Sequence, residues 1–141
     1  MRMTGEPSTD LTTYPFSHTI RVRFAETDAM RIVHHGRYLP YLEEARVEYL
    51  RAIDHPYTAW QADGIESAVL EAFVRYRVPL RFDELVDVHV ALAAVRGATF
   101  QMDYALTVAG QLRSTATTVH ALLGAEGRPQ RLPAWLVELG G

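Results

Sequence analysis

Residues 37–53 read RYLPYLEEARVEYLRAI, and their rhythm differs from everything around them. Tyr38, Leu42, Ala45, Tyr49 and Ile53 recur every three or four residues, with Leu39, Arg46 and Leu50 beside them. That spacing lays one apolar stripe along a helix. Glu43, Glu44, Arg46, Glu48 and Arg51 fall on the more polar side. Pro40 sits in the first turn, where backbone N–H groups lack intrahelical partners in any case. Pro56 ends the segment, because a proline disfavours α geometry in the residue before it.

Outward from that helix the period drops to two. Upstream, residues 18–25 alternate, with Ile20, Val22 and Phe24 on one side and Arg21 and Arg23 on the other. Downstream, four alternating runs follow: residues 67–78, then Val86 to Ala94, Phe100 to Val108 and Thr115 to Leu123. The links Arg96-Gly97 and Ala109-Gly110 are hairpin signals. These strands reach about ten to twelve residues, beyond the usual five or six. A long antiparallel sheet with one early helix must cover an apolar face with that helix. The fold expected is α+β, the hotdog architecture: about five long strands wrapped around one long central helix. Residues 132–139 read as a short terminal helix starting at Pro133. Residues 1–16 mix Gly, Pro, Ser and Thr and read as a flexible leader. Residues 17–141 form a single domain on this reading.

Composition narrows the chemistry. The chain has 141 residues, 48% of them hydrophobic and 22% charged, with a net charge of −3. This is globular composition, and nothing in the charge balance suggests a nucleic-acid partner. There are no cysteines, which removes disulfides, thiolate nucleophiles and Cys-based metal sites. All 14 basic residues are Arg, which removes Schiff-base chemistry and a phosphate-binding P-loop lysine. None of the four serines lies in a G-x-S-x-G elbow. No His or acid cluster has zinc-like spacing, so neither a metal nor another cofactor is expected. No apolar run approaches a membrane span and no signal peptide is visible, so a cytoplasmic location is the default expectation.

A hydrolase with these exclusions must rely on carboxylates, histidines, backbone dipoles or water. The segment ETDAMRIVHHGRY (26–38) joins the first strand to the helix. A helix N-terminus presents unpaired N–H groups and about half a positive charge. A carbonyl placed there is polarised, and Asp28 lies a few residues upstream, with Glu26 the other acid of the loop. Taken alone, Asp28 is more often a turn or cap residue. His34 and His35, being adjacent, are expected to diverge in direction. Glu43 and Arg46 read as an intrahelical pair.

The quoted residues carry a resemblance. TDAM (27–30), IVHH (32–35), Tyr38-Leu39 and LEEAR (42–46), followed by RYRVPLRFDE (75–84), resemble the acyl-CoA thioesterases of the 4-hydroxybenzoyl-CoA thioesterase type, which are hotdog proteins. The similarity covers about residues 18–124. It implies hydrolysis of a fatty or aromatic acyl-CoA to free acid and CoA. It implies that Asp28 is the catalytic carboxylate, as general base or nucleophile. It implies that the backbone N–H of His35, with that of Gly36, polarises the thioester carbonyl, and that Tyr38 lines the pocket. Arg31 stands where the family pattern has glycine. If that position needs a positive φ, Arg31 is strained there, or it takes a role of its own with Met30 beside the substrate. The alternatives on the same fold are a hydratase or dehydratase and a non-catalytic acyl-CoA-binding protein. The resemblance also implies a homodimer or homotetramer, since a single sheet of this kind leaves its edges unpaired.

Overall fold

A computed structural model describes residues 3–140; Met1, Arg2 and Gly141 lie outside the described residues. The order is β1 (Phe16–Arg21), α1 (Tyr38–Ala52), α2 (Tyr57–Ala62), β2 (Glu66–Tyr76), β3 (Leu85–Arg96), β4 (Thr99–Val108), β5 (Gln111–Leu123), β6 (Pro129–Gln130) and α3 (Ala134–Gly140). The strands pair antiparallel in the order β1-β3-β4-β5-β2, and the two-residue β6 hangs on β5. This is the hotdog fold, with α1 on the inner face of the sheet.

Helix α1 forms where its stripe predicts. Tyr38, Tyr41, Leu42, Ala45, Tyr49 and Leu50 are buried, while Leu39 is exposed. They meet the inward residues of the strands, among them Val86, Val88, Val90, Met102, Tyr104 and Leu106. Leu42 is 1% exposed. Cutting such a side chain back to alanine costs about 2–5 kcal/mol.

One expectation needs correction at the start of the chain, the alternating strand over residues 18–25. Strand β1 stops at Arg21, and Phe24 is 76% exposed in a 3₁₀ turn over Phe24–Glu26. The cause is Glu26, whose carboxylate takes the Arg23 N–H at 2.7 Å and folds the chain out of the ladder. The connection before β2 also contains a helix, α2, whose Trp60 is buried and donates to the His55 carbonyl at 3.1 Å. Six residues are too short a run to show a helical period.

The outer face of the sheet is polar and buried as well. Gln101, Asp103, Thr107, Thr115 and Thr117 all lie at or below 8% exposure. Part of the segment expected as a flexible leader lies against this face. Met3 donates its N–H to Gln101 Oε1 at 2.6 Å, Gln101 donates back to Thr4 Oγ1 at 2.7 Å, and Tyr14 packs on His89. Strand β2, by contrast, is an open edge along its length. Val69, Leu70, Phe73 and Tyr76 are between 42% and 51% exposed. Among the described residues, no helix is long and apolar enough to cross a membrane.

Candidate active site

The loop between β1 and α1 is built from both sides. Thr27 bridges Val33, Asp28 N–H donates to the Ile32 carbonyl at 2.9 Å, and Val33 N–H donates to the Leu80 carbonyl at 2.8 Å. Between them the chain reverses in a tight turn. Asp28 Oδ1 accepts the Met30 N–H at 2.8 Å, and the Asp28 carbonyl accepts the Arg31 N–H at 2.9 Å. Closing the turn puts Arg31 at φ 65°. That is the left-handed region, which costs a non-glycine residue about 1–2 kcal/mol. The condition for strain at Arg31 is therefore met.

The two acids of the loop have opposite surroundings. Glu26 is 6% exposed. Tyr41 Oη donates to it at 2.7 Å, and the Arg23 guanidinium reaches its second oxygen at 3.2 Å. Burial pushes its carboxyl up, but these hydrogen bonds outweigh burial and hold it below the ordinary carboxylate range. Asp28 is half-buried, and its Oδ2 has no hydrogen-bond partner among the described residues.

The start of α1 comes next. A 3₁₀ turn over His35–Arg37 leads into it, and His34 Nδ1 accepts the Gly36 N–H at 2.9 Å. The His34 and His35 rings do not diverge; they stack at 4.1 Å and 28°. The extended backbone of His34 followed by the helical backbone of His35 turns both rings the same way. Among the described residues the His35 N–H has no partner, whereas the Gly36 N–H is occupied by His34.

Asp28, Met30, His35 and Tyr38 line one cleft of about 240 Å³. Arg31 and Gly36 are not in its wall. The opposite wall is Tyr76, at the end of β2, with Arg77, Val78 and Pro79 of the turn beyond it. Tyr76 Oη donates to the His35 carbonyl at 3.0 Å, and its ring meets the edge of Tyr38 at 4.8 Å. The sequence reading missed Tyr76. Its signal was the aromatic just before the V-P-L turn, but the partner lies 41 residues upstream. Arg113 braces this wall, donating to the Pro79 carbonyl at 2.7 Å and to both oxygens of Glu84. The Arg113 hydrogen bonds hold the Glu84 carboxyl below its ordinary range, against a smaller upward push from burial.

The arrangement sets a carboxylate oxygen and an unpaired N–H around one cleft, which suits acyl transfer to water. Known proteins agree with that class. A family model described as the thioesterase-like superfamily matches residues 22–139. The acyl-CoA thioesterase YbgC of Haemophilus influenzae is 33% identical over 103 residues, 72% of this chain and 76% of that one. A structure from Aquifex aeolicus superposes with a TM-score of 0.84 at 35% identity, covering 90% of this chain and all of the other. A thioesterase of Thermus thermophilus solved with coenzyme A and zinc superposes with a TM-score of 0.76 at 25% identity, over 90% and 92% of the two chains. The match runs over nearly the whole folded chain, and this protein belongs to the thioesterase-like superfamily.

Proposed function

We propose that this enzyme hydrolyses an acyl-CoA thioester, with Asp28 and the His35 N–H as its working groups. The observation that carries the reading is the unpartnered Asp28 oxygen in the same cleft as the unpartnered His35 N–H. Asp28 takes a proton from water as the water oxygen bonds to the thioester carbon. The carbonyl oxygen becomes an oxyanion held by the His35 N–H and the dipole of α1. The carbon–sulfur bond then breaks, CoA leaves as thiolate and takes up the proton, and the acid remains. Direct attack by Asp28, giving an acyl-enzyme anhydride, uses the same geometry; one turnover in ¹⁸O-water separates the two by whether label enters Asp28. The Gly36 N–H joins the oxyanion site only if His34 Nδ1 lets it go. Met30, which is 70% exposed, and Tyr38 contact the substrate, and Arg31 meets its acidic portion from outside the cleft wall.

The working unit is a homodimer or a higher oligomer, joined through the open β2 edge. Two copies related by a two-fold axis pair such an edge antiparallel. The enzyme acts in the cytoplasm, with no nucleic-acid or membrane partner.

The test is CoA release, read with a thiol-reactive dye, by wild type and Asp28→Asn. The chain has no cysteine of its own to contribute signal. A general base supplies roughly 10²–10⁴-fold. The variant is expected to lose at least 10² in kcat on the best substrate. Undiminished turnover by Asp28→Asn would end the proposal.

A further inference from the structure

A second cavity, of about 280 Å³, lies at the other end of β2. Its walls are apolar, with Leu50, Trp60, Phe100, Met102 and Trp135 among them. Its polar lining is Glu43, Arg46, Tyr49, Tyr57 and Ser67, of which Arg46 from α1 and Ser67 from β2 stand at the two ends of one hydrogen-bonded chain through the core. The Arg46 side chain is 13% exposed. Among the described residues its guanidinium donates one hydrogen bond, to Tyr104 Oη at 3.1 Å, and stands 4.0 Å from Glu43. Guanidinium has five N–H donors and no acceptor. The nitrogens it leaves unused are not sealed from solvent, so a ligand acceptor in the cavity would take the place of water on them.

Behind Arg46 runs a chain of polar groups whose direction follows from counting protons. Arg46 can only donate, so Tyr104 Oη accepts from it. Tyr104 is fully buried, and Thr118 Oγ1, at 2.6 Å, is the one acceptor for its proton among the described residues. Thr118 then donates to His120 Nε2 at 2.7 Å. That fixes the tautomer: His120 carries its proton on Nδ1 and donates to Ser67 Oγ at 3.0 Å. The reverse order would strand the Tyr104 proton in the core. His120 is completely buried, stacked on Phe100, and burial with the nearby Arg46 charge pushes it down to about 3, so it stays neutral. Ser67, having accepted from His120, keeps its own proton for the cavity. Every polar group offered there by Arg46 and Ser67 is a donor.

We propose that Arg46 and Ser67 form a recognition point for a hydrogen-bond-accepting oxygen carried by the acyl group away from its thioester. This rests on the reading of the enzyme as an acyl-CoA hydrolase. The cavity lies at the Ser67–Val69 end of β2 and the Asp28 cleft at the Tyr76 end. Seven to nine strand residues separate them, about 23–30 Å at 3.3 Å each. One chain cannot offer both to one acyl group. Antiparallel pairing of two β2 edges about their middle brings the cavity of one copy to the cleft of the other. Arg46 and Ser67 then set specificity from across the interface, and the two are specificity residues, not catalytic ones.

Three CoA thioesters of one chain length, ending in methyl, hydroxyl or carboxylate, test this on the full chain. Wild type is expected to favour an oxygen-bearing end over methyl by at least tenfold in kcat/KM. Hydroxyl against carboxylate then shows whether the acceptor is neutral or charged. Ser67→Ala and Arg46→Met are each expected to cut that preference about tenfold while leaving turnover of the methyl substrate within about twofold. A wild-type preference for methyl overturns the proposal, as does a proportionate fall on all three substrates, which is what a merely structural role would give. Should Arg46→Met lose its cooperative melt, Ser67→Ala decides alone, since it deletes one oxygen. If wild type releases CoA from none of these or any other thioester, the hydrolase reading fails. The recognition point is then judged by equilibrium binding of the same three compounds. Loss of discrimination in Ser67→Ala supports it, and equal wild-type affinities overturn it.

Discussion

The inner and outer sides of the β1–α1 loop each carry one carboxylate, and the two groups have opposite surroundings. On the inner side Glu26 is closed in by Tyr41 and Arg23 and has no oxygen to spare. On the outer side Asp28, which lines the cleft, spends one oxygen on its own turn and leaves the other without a partner among the described residues. On the proposed mechanism, two residues of separation divide fold maintenance from chemistry. The number of donors around a carboxylate, more than its place in the loop, decides what it does.

The sharpest way to break that contrast is to neutralise each acid in turn. Asp28→Asn should lower kcat by 10²–10⁴-fold with the melting temperature unchanged within about 2 °C, measured by CoA release and thermal melts. Glu26→Gln should do the reverse. It should cost about 1.5–3 kcal/mol in urea unfolding, because a buried charge-assisted network loses its charge. The folded fraction should still turn over substrate.

The acid side of the pH profile sharpens the same comparison. Folding depresses the Glu26 carboxyl, so its contribution is present above the ordinary value of about 4.3 and lost as pH falls through the folded value. The stability gap between wild type and Glu26→Gln should narrow as pH is taken from 6 to 3; a constant gap would mean that the charge is not the cause.

Smaller effects belong to the groups that hold the cleft. Tyr76→Phe removes the donor to the His35 carbonyl, and kcat should fall about three- to tenfold, with unfolding free energy changed by roughly 1 kcal/mol or less. Arg31→Gly should relieve the left-handed turn and raise stability by about 0.5–1 kcal/mol, since part of the relief is offset by the freer unfolded chain. A rise in KM alongside it would assign Arg31 to substrate binding.

Much of the fold is legible in the residues alone. The stripe of Tyr38, Leu42, Ala45 and Tyr49 and the period-two runs after it specify a helix against a sheet, because burial enforces both periods. Phe24 misleads because alternation continues into a segment whose backbone is turned by the Glu26 carboxylate, an interaction with no period. The positive φ at Arg31 is readable only as a departure from a family pattern. Tyr76 and the His120 chain are not readable, since each depends on which strand ends meet. Ser67 meets His120 across 53 residues.

The strand order has a kinetic corollary. Strands β3, β4 and β5 form a meander of near neighbours in sequence, whereas Phe16 pairs with Val90 and Glu66 with Leu123. Loop-closure entropy delays the distant pairings, so the meander should assemble first and the two outer strands dock late. The Asp28 loop hangs between one of those late strands and the central helix. Recovery of turnover during refolding from urea should therefore trail the far-ultraviolet signal; activity appearing with the earliest sheet signal would place the closing of β1 before the meander.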